Sequence, residues 1–516
     1  MLAATFSSFL FKKRKAMQKR QIFFNSIMSV FQVLVLGCIL FVLYRYLLHR
    51  IGIAKLGVWS LVLATTSVAN MANLGLSASV VKFVAKYLAR GETQTVSSVI
   101  ETAALSIGVF IGACLLIVYP FTQWILGILI GAGELNDALS ILPYALLSLW
   151  ITVISSVFQA GLEGYQRIDV RSILVIASSL FFLVLCFGMV PPYGLKGLAY
   201  AQVMQSCIMM IGCWIALKRR CPGLPLIPFR WHRRVFKEMV GYGISFQIIS
   251  MSQMLYDPVT KALLTKFGGL SVTGFYEMAS RLIMQLRALM VNANQVLVPA
   301  IADIQEKNPE SIGNLYKRNY GLILYIAVPF YAAIISLAPI ISDIWIGYHE
   351  NIFVFSLVLL SIGWFINTLT APSYFTYLGT GKLFWNMASH ILIALLNMGV
   401  GLILGSLYGA KGVIIAWMVS LTAGSFLIIL SYHAREDIHL SFLLPKEYIS
   451  VVCSCIVGIV LSRFLYYEIA NKLHFAVTAV IMICSFALAV IFPIWLHPMR
   501  IYLMGWARRE LTNKSA

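Results

Sequence analysis

Long apolar segments separated by short polar loops are the feature that most constrains this 516-residue chain. A helix needs about 20 mainly apolar residues to cross the hydrocarbon core of a membrane. The apolar segments do not alternate polar and apolar residues over about 10 positions, as the strands of a membrane β-barrel do. The sequence therefore predicts about fourteen transmembrane helices, centred near residues 35, 68, 113, 149, 180, 207, 249, 286, 331, 365, 395, 421, 457 and 485.

The composition excludes several classes of protein. Hydrophobic residues make up 60% of the chain and charged residues 11%, whereas soluble proteins have about 45–50% and about 25%. A soluble enzyme, a secreted disulfide scaffold and a disordered protein are therefore excluded. The net charge of +20 would suggest nucleic acid in a soluble protein, but cytoplasmic loops of membrane proteins collect Lys and Arg. We expect no nucleic-acid partner.

Chemical motifs are also missing from the sequence. The nine cysteines lack the spacing of metal or redox sites. There is no Ser/His/Asp grouping on a loop and no Gly-rich phosphate loop. We therefore expect no enzyme activity, no cofactor and no bound metal.

The distribution of basic residues predicts the orientation in the membrane. With a cytoplasmic N-terminus, the segments on the cytoplasmic side carry 28 Lys and Arg residues, against 9 elsewhere when Arg281 and Arg287 are left out. Such an excess marks the cytoplasmic side. The sequence therefore predicts an even number of spans with both termini in the cytoplasm.

An internal repeat divides the chain. Residues 193–197 (Tyr-Gly-Leu-Lys-Gly) recur at 408–412 (Tyr-Gly-Ala-Lys-Gly), and Gly57-Val58-Trp59 corresponds to Gly274-Phe275-Tyr276. Six helices per repeat give both copies the same orientation, so we expect two six-helix lobes related by a pseudo-two-fold axis along the membrane normal. The predicted divisions are an N-terminal lobe at 1–217, a basic linker at 218–237, a C-terminal lobe at 238–432, and two additional helices with a basic tail at 433–516.

Charged residues within apolar spans are the candidates for function, because each costs about 2.5–3.5 kcal/mol on insertion scales. Asp257 and Lys261 are four residues apart, so they share one face of a helix. Glu277 and Arg281 have the same spacing. Arg287 lies about 240° further around that helix and has no obvious partner on it.

Two interpretations of these residues remain open. Asp257, Lys261, Arg281 and Arg287 could line a cationic, water-filled cavity, because an Arg fork and a Lys point charge both suit phosphate oxygens. The alternative is pairing within the protein that fixes helix register. Asp257 could also bind a coupling proton or sodium ion. His390, one helical turn after Asn386, is a further candidate.

Several short motifs together resemble a known family, the polysaccharide transporters or O-antigen-type flippases of the multidrug/oligosaccharidyl-lipid/polysaccharide exporter superfamily. The resemblance covers nearly the whole chain and rests on the order of Gly57-Val58-Trp59-Ser60-Leu61, Leu74-Gly75-Leu76, Tyr276-x-Met278-Ala279-x-Arg281, Pro299-Ala300, Ile344-Trp345-Ile346-Gly347, Gly379-Thr380-Gly381-Lys382 and the repeated Tyr-Gly-x-Lys-Gly.

The resemblance implies fourteen helices, as two six-helix lobes plus two C-terminal helices. It implies a flippase that moves undecaprenyl-pyrophosphate-linked oligosaccharide units across the bacterial cytoplasmic membrane by alternating access, for O-antigen, capsule or exopolysaccharide synthesis. Asp257, Lys261, Arg281 and Arg287 would then contact the anionic headgroup. Membrane lipids, a coupling proton or sodium ion and a polysaccharide polymerase machinery would be partners. The two additional helices would form a groove for the lipid tail.

Other functions stay open at this stage. A multidrug or cation extruder, or a peptidoglycan-precursor flippase, would share the fold. A cation extruder favours carboxylates over Arg in its cavity, and the Arg residues near position 286 argue against it. A membrane polysaccharide polymerase or ligase generally needs a large outer loop, and this sequence has none.

Overall fold

The computed structural model describes residues 2–67, 76–225, 230–240, 255–295, 310–380, 382–469 and 474–501, and regular structure in these ranges is helical, without strands. The helices with assigned bounds in the same ranges are α1 (Leu2–Ser67), α2 (Leu76–Ala89), α3 (Thr93–Leu129), α4 (Ala132–Gly164), α5 (Ile168–Lys218), α6 (Tyr256–Gln295), α7 (Ser311–Trp345), α8 (Asn351–Leu369), α9 (Ala371–Gly379), α10 (Phe384–Arg435), a 3₁₀ helix (Leu440–Leu443), α11 (Lys446–Ile469) and α12 (Phe475–Leu496).

Four of these helices are interrupted by a glycine. The backbone of Gly194 in α5 has φ 55° and ψ −128°, and that of Gly409 in α10 has φ 61° and ψ −146°. Gly52 in α1 and Gly269 in α6 both have φ 80°. Glycine adopts such positive φ values because it has no Cβ. Each interruption therefore divides a long helix into two shorter ones.

The chain reverses its direction at Gly194, Gly269 and Gly409. Eight residues of a straight helix span about 12 Å, yet the hydroxyl oxygens of Thr265 and Thr273 lie 3.0 Å apart across Gly269. In α5 a methyl group at Gly197 would overlap the carbonyl oxygen of Met189, eight residues earlier. The 51 residues of α5 are thus two antiparallel helices joined by a minimal turn.

The reversals bring the spanning helices of the described residues to eleven of the fourteen predicted spans, and the span predicted near residue 286 lies in α6, which is not among those helices. Nine helices within the described ranges are long and apolar enough to cross a membrane, and two of them, α5 and α10, each contain two predicted spans. The predicted centres near residues 68 and 249 lie outside the described residues. The predicted fold class, an all-α polytopic membrane protein, is confirmed.

The glycine turns repeat along the chain with the spacing of the sequence repeat. Gly52 and Gly269 are 217 residues apart, and Gly194 and Gly409 are 215 residues apart. Paired motifs in the sequence have these same two offsets. The internal repeat is therefore present in the backbone as two pairs of equivalent turns.

The chain divides into two units, Met1–Ala262 and Leu263–Ala516. In the first unit α4 packs against α5, α2 and α3, and α1 packs against α5. The segment after α5 binds to the first turns of α3, where Ser97 Oγ donates a hydrogen bond to the Gly223 carbonyl. The buried Glu101 carboxylate accepts one from the Arg230 amide at 3.4 Å.

In the second unit α7 is the central element, since α8, α11 and α12 all pack against it. Polar contacts fix α11 on α7. Tyr466 Oη donates to an Asp343 carboxylate oxygen at 2.8 Å and lies 3.0 Å from His349 Nδ1, and the hydroxyls of Ser336 and Ser462 are hydrogen-bonded. The two C-terminal helices are thus integral to this unit.

Alanine at the glycines beside the turns tests the reversal. We expect Gly197→Ala and Gly412→Ala each to destabilise the protein by about 1–3 kcal/mol, the usual cost of overpacking, because the new methyl group meets a backbone carbonyl. Gly188→Ala and Gly399→Ala are matched controls, since nothing lies within 4 Å of a Cβ there. Thermal unfolding in detergent measures the difference. Equal unfolding temperatures for all four variants would contradict the tight turn.

Candidate functional site

The candidate residues of α6 form the ion pairs that their spacing predicts. Arg281 Nε donates to a Glu277 carboxylate oxygen at 2.7 Å, and the glutamate is buried while 45% of the Arg281 side chain is exposed. A buried carboxylate requires such compensation. Arg281 therefore neutralises Glu277 and still presents part of its guanidinium to the surroundings.

Asp257 and Lys261 lie at the start of α6, in the first unit of the chain. Lys261 Nζ is 2.6 Å from an Asp257 carboxylate oxygen. The lysine side chain is 1% exposed and the aspartate side chain 49%. Of this pair only Asp257 is accessible, so its carboxylate is the group that can contact a solute directly.

Arg287 is held by residues of another helix. One of its terminal guanidinium nitrogens donates to Asn367 Oδ1 at 2.8 Å. The guanidinium carbon lies 4.4 Å from the centroid of the Trp364 ring, a cation–π geometry. Arg287 Nε is buried and has no hydrogen-bond partner among the described residues. Asn367 is oriented in turn by its donation to Ser425 Oγ at 3.1 Å.

Aromatic and polar residues of α7, α9 and α10 surround this arginine. Tyr374 and the buried His390 stack edge to face, with ring centroids 5.9 Å apart. Asn386 Nδ2 donates to the Tyr374 carbonyl at 3.2 Å. We call Arg287, Trp364, Asn367, Tyr374 and His390 the Arg287 cluster.

Among the described residues, no carboxylate pairs with the charge of the Arg287 cluster. Within the described part of the chain Arg287 forms no ion pair, and its bonds go to an amide and an aromatic face. A neutral amide satisfies a donor without cancelling the charge. The cluster is therefore a buried cationic centre, and the Nε–H of its arginine has no hydrogen-bond partner among the described residues.

An apolar groove lies next to the cluster. It has a volume of about 300 Å³ and is lined by α7, α8 and α11 and the 3₁₀ helix, with Leu324, Phe365 and Ile456 among its residues. Tyr331 belongs to its wall, and its hydroxyl bonds to Thr368 at 2.9 Å. Tyr331 is also close enough to interact with the charge of Arg287. Tyr331 thus lines the apolar groove and also lies near the charge of Arg287.

Sequence reasoning identified Arg287 and its lack of a partner on its own helix, but not Trp364 or Asn367. These partners lie about 80 residues away along the chain. The available signal was a Trp and an Asn three residues apart in an otherwise apolar segment, which places them on one face of a helix.

Comparison with solved structures shows which known proteins have a similar fold. An inward-facing multidrug resistance transporter of the MATE family of the MOP superfamily is similar with a TM-score of 0.67 and 15% identity, covering 80% of this chain and 98% of that one. The lipid II flippase MurJ, in an inward closed conformation, is similar with a TM-score of 0.64 and 14% identity, covering 91% and 97%. The fold is that of the MOP-superfamily transporters.

Sequence comparison gives the family. Residues 47–354 match the family described as polysaccharide biosynthesis protein. A protein of Shigella flexneri named "Putative O-antigen transporter" is 20% identical over 421 residues, covering 78% of this chain and 96% of that protein. The chain belongs to the polysaccharide biosynthesis protein family and is a multi-pass membrane protein.

Removing the amide that holds Arg287 tests the geometry of the cluster. We expect Asn367→Ala to destabilise the protein by about 1–3 kcal/mol, because it leaves a charged donor buried without its acceptor. Asn351→Ala, at the exposed start of the same helix, is the matched control. Thermal unfolding in detergent compares the two variants. If they unfold at the same temperature, Asn367 does not support Arg287.

Proposed function

We propose that the protein is a flippase for undecaprenyl-pyrophosphate-linked oligosaccharide units, acting across the bacterial cytoplasmic membrane in the synthesis of a surface polysaccharide. The family and the transporter fold support this proposal. A sugar headgroup cannot cross about 30 Å of hydrocarbon without a polar path. A transporter that opens its polar interior to one side at a time supplies that path.

The observation that carries the proposal is the unbalanced charge of Arg287. An anionic diphosphate has oxygens that accept hydrogen bonds from the guanidinium N–H groups that Asn367 does not occupy, in the charge-assisted geometry that makes such bonds strong. A cation extruder would place carboxylates there instead. The positive charge of the Arg287 cluster therefore favours an anionic substrate.

The apolar groove supports a lipid-linked form of that anion. A substrate with a charged headgroup and a hydrocarbon tail needs a cationic site continuous with an apolar one. Tyr331 contributes to the groove and lies near Arg287, so both ends of such a molecule find suitable surroundings. We propose that α11 contributes to tail binding and that Arg281 and Arg287 contact the headgroup.

The remaining predictions from the sequence form part of the same proposal. Asp257, the accessible member of its ion pair, would bind a coupling proton or sodium ion, with Lys261 setting its charge. The two lobes would be residues 1–217 and 238–432, joined by the linker at 218–237 and followed by the additional helices. Both termini would lie in the cytoplasm, and a polysaccharide polymerase would receive the product.

Lipid analysis of a deletion strain tests the substrate. We expect undecaprenyl-linked repeat units to accumulate on the cytoplasmic leaflet, where their mass identifies the sugar. Re-expression of the wild-type chain should clear them. Single repeat units on the outer leaflet would indicate a missing polymerase or ligase, and trapped peptidoglycan precursor would identify a different cargo. No accumulation together with normal surface polysaccharide would contradict the proposal.

Converting Asn367 to a carboxylate tests the role of Arg287. We expect Asn367→Asp to keep the protein folded, since it gives Arg287 an ionic partner, and to abolish polysaccharide export, since the new carboxylate competes with the substrate anion. Arg287→Lys should also lose most export, because an ammonium cannot reproduce the planar fork or its stacking on Trp364. Surface polysaccharide is measured at equal protein abundance.

Asn351→Asp, which adds the same charge on the exposed start of the same helix, is the control and should export normally. If Asn367→Asp exports as well as this control, Arg287 serves only to fix the packing of its helix. The assignment of Arg287 to the substrate would then be wrong.

A further inference from the structure

A polar cavity lies in the second unit, and Tyr377 in its wall follows Tyr374 of the Arg287 cluster by three residues on α9. It has a volume of about 200 Å³ and is formed where α9 and α10 end and α7 begins. At about 30 Å³ per water molecule, it has room for a phosphate group with part of an attached sugar. Its walls carry two cations, one carboxylate and several hydroxyls.

The cations of this cavity are Lys382 and Arg435. Lys382 forms no ion pair or side-chain hydrogen bond with the residues that the structure describes. Arg435 has only a long contact of 3.9 Å with the Glu436 carboxylate. About 40% of the Arg435 side chain and of the Glu436 side chain is exposed. All three charged groups are thus free to exchange water for a ligand.

A buried hydroxyl provides independent support for a ligand site. Tyr432 lines the cavity and is 1% exposed. Its Oη is buried and lies near the Thr376 hydroxyl, but no described residue forms a hydrogen bond with it in good geometry. Leaving such a hydroxyl unsatisfied costs about 1–3 kcal/mol, and a ligand oxygen in the cavity would remove that cost.

The backbone holds these groups in place. The Lys382 amide donates to the Tyr377 carbonyl at 2.9 Å, and the Glu436 amide donates to the Tyr432 carbonyl at 3.0 Å. Tyr377 Oη is hydrogen-bonded to Ser431 Oγ at 3.2 Å. The two helix ends that supply the charges are therefore anchored beside one another rather than on free loops.

We propose that this cavity binds a glycosyl phosphate, with the phosphate oxygens accepting from Lys382, Arg435 and Tyr432 and a sugar hydroxyl donating to Glu436. A phosphate oxyanion suits the two cations. The Glu436 carboxylate beside them accepts a hydrogen bond from a hydroxyl of the attached sugar. The combination distinguishes a sugar phosphate from inorganic phosphate and from a phospholipid headgroup.

The inference rests on the proposed function and extends it. Residues 379–386 and 433–446 are both predicted to be cytoplasmic loops, and the cavity is formed at their junction with the helices. The cavity would be the place where the headgroup of the lipid-linked sugar first binds. The Arg287 cluster, in the interior of the same unit, would bind it later.

Equilibrium binding of radiolabelled glucose 1-phosphate to the full-length protein in phosphatidylcholine nanodiscs tests the site. We expect saturable binding that weakens about tenfold in Lys382→Gln and in Arg435→Gln, the loss of one charge-assisted bond. Tyr432→Phe should weaken it severalfold. Lys446→Gln is the matched control, a lysine outside the cavity and predicted on the same side, and should bind like the wild type.

Competition experiments separate the possible sources of the phosphate. Unlabelled inorganic phosphate should compete more weakly than glucose 1-phosphate in the wild type. Glu436→Ala should narrow that difference, because it removes the contact with the sugar hydroxyl. Equal competition in the wild type would indicate a simple phosphate site and would overturn the glycosyl assignment. Displacement of the ligand by nanodiscs containing phosphatidylglycerol would indicate a phospholipid site and would overturn it too.

The same variants distinguish this inference from the proposed function. If Lys382→Gln and Arg435→Gln bind glucose 1-phosphate as Lys446→Gln does, the cavity assignment is wrong, even when the deletion strain accumulates lipid-linked sugars. If binding weakens as expected but the deletion strain accumulates none, the cavity stands as a sugar-phosphate site and the flippase proposal falls.

Discussion

The absence of water in the hydrocarbon core is the constraint on which this structure depends. Every backbone N–H and C=O group there must be satisfied within the protein, which leaves helices as the natural solution. A chain that crosses many times must then reverse in very few residues. Here single glycines at positive φ, such as Gly194 and Gly409, make those reversals inside what would otherwise be helices of 51 and 52 residues.

Much of this fold is predictable from the sequence because its causes are local. Apolar length defines a span, loop charge defines a side, and the repeated Tyr-Gly-x-Lys-Gly marks a turn that recurs at Gly409. The bounds of α5 and α10 are less predictable, because each element includes a short glycine turn that the sequence analysis interprets as a loop between two helices. The four-residue spacing of Glu277 and Arg281 likewise predicts their ion pair.

The surroundings of Arg287 could not be predicted from the sequence, because they depend on packing between segments that are distant along the chain. Nothing near Arg287 in sequence indicates Trp364 or Asn367. The same holds for the cavity at Lys382, whose second half comes from the end of α10. A lone charge in an apolar helix can be recognised from sequence as expensive and therefore significant. Its partner, which decides whether the charge is cancelled or kept, is visible only in three dimensions.

The equivalence of the turns has a consequence for how the two halves of the sequence can change. At the offset of 217 residues that relates Gly52 to Gly269, the positions of Glu277, Arg281 and Arg287 correspond to Ser60, Ala64 and Asn70. The two halves thus share these turns but not these three charges. A substitution that removes the charge of Arg281 or Arg287 therefore has no equivalent cation in the first half of the sequence to replace it.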